Sequence, residues 1–374
     1  MVDKKRLTDS FIEMIKIHSP SDREKKFADY MILLLKELGA EIYLDEGFKK
    51  YGGDAPTIFA KIKGTVAGEG VTLAAHMDVI EPNANVNPVI AGDIIKTDGT
   101  TTLGGDDKGG VAAIVEVLRV LKEKNIPHKD IYVLLTPGEE AGMHGAKNID
   151  WSLVPSHMRP AENMIVLDNA GRAGIIAHTA PSKYGITFTF KGKKAHAGIE
   201  PEKGINAIAL AACAVARMQI GRIDEFTTSN LGKIDADFPS NVVPDCCVVK
   251  GELRGHSEEK IKEMLMSYEK ACEEAAASFG GEYTMEYSHD YPALKPKDDL
   301  KFAREFAEIY ESIGVPSELK IIGGGSDSNI LAAEGFNSII IGVGMYDVHT
   351  VDEYLDTAEM FKTAEAVLKY IARG

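Results

Sequence analysis

Two adjacent carboxylates, Glu139 and Glu140, follow an apolar run at residues 131–135 across a Pro137-Gly138 turn. The run reads as a buried strand that the turn ends. The pair therefore falls at a strand's carboxyl end, where open α/β sheets place their ligand sites. Neighbouring side chains in extended backbone point to opposite sides, so one glutamate can hold a metal ion while the other faces a reacting water. An isolated Glu-Glu is usually a solvated turn, so its companions decide. His76 and Asp78 close a second apolar run at residues 71–75 and share a face two residues apart. A carboxylate so placed can accept from one imidazole nitrogen and turn the other toward a metal, although a lone His-x-Asp is commonly structural. Asp168 ends a third run, residues 164–167, and His349 follows a fourth, residues 338–343.

Between these runs, Gly104-Gly105-Asp106-Asp107-Lys108-Gly109-Gly110 opens a helix bearing Ala112, Ile114, Val115, Leu118 and Leu121. Acids there can simply cap free N–H groups. The Walker spacing is absent, and two acids in the turn would repel phosphate. Two histidines and three carboxylates gathered from His76, Asp106, Glu140, Asp168 and His349 can hold two divalent ions if one carboxylate bridges.

The remaining pattern supplies the scaffold. Residues 7–17 form a helical stripe stopped at Ser19-Pro20, and Ser21 opens a second helix with Glu24 at capping-box spacing. Strands are expected at residues 41–44 and 57–62, and residues 80–103 read as an irregular segment. Residues 185–190 alternate as a half-exposed strand. With a helix at 206–218, a strand at 242–253, a helix at 257–279 and a strand at 282–287, they suggest a second, α+β domain with an antiparallel sheet. A helix at 298–313, a glycine-rich turn at 323–329 and a closing helix bearing Met360, Phe361, Ala364, Val367 and Leu368 complete the chain. The Gly324-Gly325-Ser326-Asp327 turn suits close approach of a substrate to backbone and equally suits helix capping.

With 374 residues, the chain has room for one large or two ordinary domains. An apolar fraction of 44%, a charged fraction of 26% and a net charge of −15 describe a soluble globular protein and exclude nucleic acid and anionic membrane as partners. No signal-peptide core or membrane-length apolar run is present, so a cytoplasmic location is expected. Cys213, Cys246, Cys247 and Cys272 lack zinc-knuckle spacing, which leaves His, Asp and Glu as metal ligands.

His76-x-Asp78, Gly105-Asp106-Asp107-Lys108-x-Gly110, Glu139-Glu140-x-Gly142, Asp168, Gly192-x-x-Ala195-His196-x-Gly198 and His349 together resemble the zinc exopeptidases of the M20 family, most closely its peptidase T-like members. The resemblance implies an α/β fold: a catalytic domain with a mixed sheet flanked by helices (residues 1–180 and 293–374), interrupted by an α+β lid and dimerisation domain (residues 181–292). It implies two Zn²⁺ per subunit, replaceable by Mn²⁺ or Co²⁺. His76 and Asp168 would hold one ion, Glu140 and His349 the other, and Asp106 both. Asp78 would orient His76, and Glu139 would act as general base toward a metal-activated water.

Within the lid, His196 resembles the histidine that reaches the partner subunit's site, and Asn241 the asparagine lining the substrate pocket. Arg254 offers a fork for a substrate carboxylate, its alternative being a surface pair with Glu252. Aspartate at position 168 goes, in the family, with aminopeptidases and tripeptidases. The implied activity is removal of the N-terminal residue from short peptides, tripeptides above all, by a homodimer. An M20-type dipeptidase or N-acyl amino acid deacylase is the alternative, and a non-catalytic metal- or peptide-binding protein a remoter one.

Overall fold

Short apolar runs flanked by turn residues become the strands of an eight-stranded mixed sheet. The computed structural model describes residues 1–373 and divides the chain into two compact units. One unit comprises Met1–Thr179, Leu294–Ile322 and the residues from Ser326 on. The other comprises Ala180–Ala293 with Gly323–Gly325.

In the first unit the sheet order is Glu41–Asp45, Thr57–Ile62, Ile131–Thr136, Val71–His76, Asn163–Asn169, Asn337–Gly342, Ile175–Thr179 and Glu318–Ile321. The four strands from Ile131–Thr136 to Asn337–Gly342 run parallel, so their carboxyl ends lie along one edge. His76 pairs in register with Thr136, which levels the first two of those ends. Every residue of Val71–His76 is buried, as a parallel strand covered on both faces requires.

The covering helices include α1 (Lys4–Ile15), α2 (Lys25–Glu37) and α3 (Gly105–Lys124). Helix α3 is buried along nearly its whole length and packs against α1, the closing helix Thr357–Ile371 and the strands that end in His76 and Asp168. Close approach sets its position. A Cβ on Gly110 would sit 2.2 Å from the Leu167 carbonyl oxygen and 2.5 Å from Asp107 Oδ1.

The second unit holds a five-stranded antiparallel sheet in the order Gly221–Arg222, Thr227–Asp235, Cys246–Gly255, Ser182–Lys191 and Glu282–Tyr291. Ile186, Phe188 and Phe190 point alternately into a core shared with helices Ala207–Val215 and Glu258–Phe279. Thr187 and Thr189 lie on the opposite face.

Three local expectations change, and one open alternative is met by capping. Ser21 does not cap α2: the cap position is Glu24, without a side-chain cap bond, because the Ser21 hydroxyl is donated to Asp78 instead. Residues 80–103 are not wholly irregular, since Val89–Ala91 and Ile94–Lys96 form a hairpin joined to Tyr354–Asp356 and Met345–Tyr346. The strands Ile175–Thr179 and Thr227–Asp235 were not expected from the sequence. The Gly323–Asn329 turn ends in a capping box between Ser326 and Asn329, so capping accounts for its Ser and Asn.

Replacing Gly110 by alanine forces α3 away from the Asp168 strand. Gly110→Ala is expected to lose about 1–3 kcal/mol of stability, read as a lower urea midpoint, together with weakened divalent-metal uptake.

Candidate metal centre

The parallel strand ends and the hairpin that follows Asn337–Gly342 bring five predicted ligands together. His76 Nε2 lies 3.1 Å from Asp106 Oδ1 and 3.5 Å from Asp168 Oδ1. His349 Nε2 lies 3.3 Å from Asp106 Oδ2 and 2.9 Å from Glu140 Oε1. Asp106 thus turns one oxygen to each imidazole. Two groups could hold a metal ion, His76 with Asp106 and Glu140 and His76 with Asp107 and Asp168, the ligand atoms of each lying within 4.8 Å of one another.

Asp78 backs this arrangement. It is fully buried, with Oδ1 3.3 Å from His76 Nδ1. Glu139 N–H donates to Asp78 Oδ1 at 2.9 Å and Glu140 N–H to Oδ2 at 3.1 Å. One carboxylate therefore ties the His76 strand end to the Glu-Glu turn. Glu139, half-buried, follows Gly138, which adopts φ 64° as the turn requires.

Asp107 and Glu353 were not singled out as site residues. Asp107 accepts from His76 N–H at 3.2 Å and Gly110 N–H at 3.2 Å, so it caps α3 while bracing the His76 backbone. Asp107 thus combines a capping bond to the start of α3 with a place among the carboxylates around His76. Glu353, 2% exposed, accepts N–H bonds from Leu103 and Gly104 through Oε2 and from Asp106 through Oε1, at 2.8, 2.9 and 3.0 Å. The hairpin that carries His349 thus also cradles the Asp106 turn. Nothing in sequence spacing marks Glu353, because its partners lie about 250 positions away.

The electrostatics call for cations. Burial, with Asp106 as a carboxylate neighbour and His76 opposing, lifts Asp168 to about 7, and burial raises Glu139 and Asp107 well above the usual carboxylate range. Burial also opposes charge on Asp106, but hydrogen bonds from His349 and His76 hold it below that range. The Asp106 and Glu140 carboxylates close to its ring raise His349 to about 10, and neighbouring carboxylates raise His76 despite its burial. Glu140 Oε1, though close to His349, is a buried oxygen without an aligned hydrogen bond. Nitrogen and carboxylate donors, excess negative charge and an orphaned oxygen fit divalent ions.

The three remaining predicted residues belong to the second unit. His196 is exposed and pairs in register with Val242, and Ala197 N–H donates to the Asn241 carbonyl at 2.9 Å, so the His196 and Asn241 segments adjoin. Arg254 is half-buried, and its Nε donates to Glu252 Oε1 at 2.7 Å, the surface pair given above as its alternative role.

In the ion-free chain, protons on His76 and His349 offset the carboxylates, and both must leave before the imidazoles can bind metal. Metal uptake near neutral pH is expected to release protons. Apparent affinity should rise with pH until His349 deprotonates at about 10. Titration calorimetry in buffers of different ionisation enthalpy measures this, and buffer-independent heats would contradict it.

Residues 72–373 match the family described as Peptidase family M20/M25/M40. The chain is 37% identical over 371 residues to the uncharacterized protein YqjE of Bacillus subtilis, a match covering 99% of both. It resembles the crystal structure of the aminopeptidase PepT from Bacillus cereus with a TM-score of 0.89 and 34% identity, over 99% of this chain and 98% of that one. With a tripeptidase from Staphylococcus aureus the TM-score is 0.94 at 33% identity, over the whole of both chains. The family match spans every candidate ligand from His76 to His349, and the chain belongs to peptidase family M20/M25/M40 and is a metal-dependent exopeptidase.

Proposed function

We propose that the chain is a two-zinc aminopeptidase that removes the N-terminal residue from short peptides, tripeptides foremost. The observation that carries this reading is Asp106, whose two oxygens face the two imidazoles separately. In this reading His76 and Asp168 hold one ion, His349 and Glu140 the second, and Asp106 both. When bound, the ions would supply Lewis acidity toward the scissile carbonyl and lower the pKa of the attacking water.

The chain's own groups do the rest. Asp78 keeps the His76 imidazole turned through its Nδ1 side and fixes the Glu139-Glu140 backbone. Glu139, adjoining a ligand but not one itself, takes the water's proton and returns it to the leaving amine. His196 donates to the carbonyl oxygen of the scissile bond in a partner subunit, and Asn241 lines the pocket. Arg254 exchanges Glu252 for the peptide's terminal carboxylate, a bidentate match for its guanidinium. The second unit serves as lid and homodimer interface. Among the described residues no helix is long and apolar enough to cross a membrane.

The tripeptidase and aminopeptidase similarities favour free-amine peptides over N-acyl amino acids. Metal-stripped protein reloaded with Zn²⁺, Mn²⁺ or Co²⁺ is expected to release the N-terminal residue from a tripeptide panel and to leave N-acetyl amino acids intact. Turnover confined to the acylated compounds would make it a deacylase, and binding without turnover would remove the catalytic reading. Glu139→Gln should retain metal and lose about 10²–10⁴-fold in kcat. Normal hydrolysis by that variant would refute the general-base role.

A further inference from the structure

The connection between α1 and α2, residues 17–24, supplies none of the five assigned ligands, yet it is bonded to three of the segments that bear or adjoin them. Ser19 Oγ donates to the Met77 carbonyl at 2.9 Å, and the Ser19 carbonyl accepts from Val79 N–H at 3.0 Å. Ser21 Oγ donates to Asp78 Oδ2 at 2.7 Å. Glu24 Oε1 accepts from Gly138 N–H at 2.9 Å and from its own segment at Asp22 N–H, 2.8 Å. On the third side, Lys108 Nζ donates to the Ile17 carbonyl at 2.6 Å. Each contact joins residues far apart in sequence except the Asp22 bond, which folds the segment onto itself.

Two of these bonds fall where orientation matters most. Asp78 Oδ2 receives both the Ser21 hydroxyl and Glu140 N–H, while Oδ1 faces His76 Nδ1 and Glu139 N–H. His76 Nδ1 also lies 3.0 Å from the Asp78 carbonyl oxygen, so without the Ser21 hydroxyl the Asp78 carboxylate keeps its two N–H bonds to the Glu-Glu turn and loses the bond that ties it to the α1–α2 connection. Glu24 is fully buried and holds Gly138, the pivot of the Glu139-Glu140 turn, from the other side. An acceptor oxygen is all that these N–H groups require there.

We propose that Ser21 and Glu24 are positioning residues that hold the His76–Asp78 loop and the Gly138-Glu139-Glu140 turn in mutual register, so that ligands from both meet the same pair of ions. This rests on the two-metal reading given above. Ser21 acts through its hydroxyl and Glu24 through an acceptor oxygen, so glutamine should replace Glu24 and alanine should not.

The test is Co²⁺ titration of metal-stripped protein, followed by its visible absorption, with kcat and KM on a tripeptide and thermal unfolding measured beside it. Ser21→Ala and Glu24→Ala should each lose about 10–100-fold in Co²⁺ affinity and kcat, with KM little changed. Glu24→Gln should restore both. Ser10→Ala, which removes a hydroxyl bonded to Arg119 elsewhere in this unit, is the control: lower stability with unaltered Co²⁺ spectrum and affinity. Wild-type Co²⁺ affinity, spectrum and kcat in Ser21→Ala would overturn the proposal for Ser21. Equal losses in Glu24→Gln and Glu24→Ala would overturn it for Glu24. If Glu24→Ala does not fold, the Ser21→Ala and Glu24→Gln measurements still decide. Co²⁺ uptake by the wild type without peptide hydrolysis would instead refute the aminopeptidase reading, leaving the Co²⁺ comparison to judge the positioning roles.

Discussion

Repulsion among buried carboxylates is the constraint on which the first unit turns. Asp78, Asp106, Asp107, Glu139, Glu140 and Asp168 gather at one sheet edge with only two imidazoles among them. Like charges taken out of water at such separations cannot all stay ionised without compensating cations or hydrogen bonds. Much of the surrounding structure supplies that compensation. Backbone N–H groups are aimed at Asp78 and Asp107, and Lys108 is buried close enough to stabilise Glu353 and Asp78 electrostatically. The parallel sheet collects the charges, and the helices around it keep them from relaxing apart.

Three of the candidate ligands were legible because each follows a recognisable event: an apolar run stops, and an acid or histidine appears beside turn residues. His76, Glu140 and Asp168 all sit at such endings. The α/β class was legible for the same reason, since strands buried on both faces are continuously apolar. Glu353 and Ser21 were not legible in these roles. Their bonds are made across the fold, and a serine before a helix has a local explanation that is usually sufficient. Here the longer-range partner won, because Asp78 is a buried carboxylate with a strong claim on any nearby hydroxyl.

Missed strands have equally local causes. Thr227–Asp235 contains few apolar residues and is mostly exposed beyond its first three positions, so neither alternation nor a continuous run marks it. Ile175–Thr179 is short and follows Gly171 and Gly174, which read as loop. In the second unit, the core residues Phe188 and Phe190 were visible through period-two alternation. Arg254 shows the limit of residue type as a guide: Glu252, two places away on the same strand face, already occupies the fork.

The order of the ligands along the chain also bears on its synthesis. Glu353 grips the Asp106 turn across about 250 residues, and His349 arrives on that same late hairpin. A growing chain therefore carries four of the five candidate ligands long before the fifth, and the Asp106 turn lacks its Glu353 cradle until then. Contacts so distant in sequence form late and slowly. The candidate metal centre can therefore be complete only once His349 and Glu353 have been made.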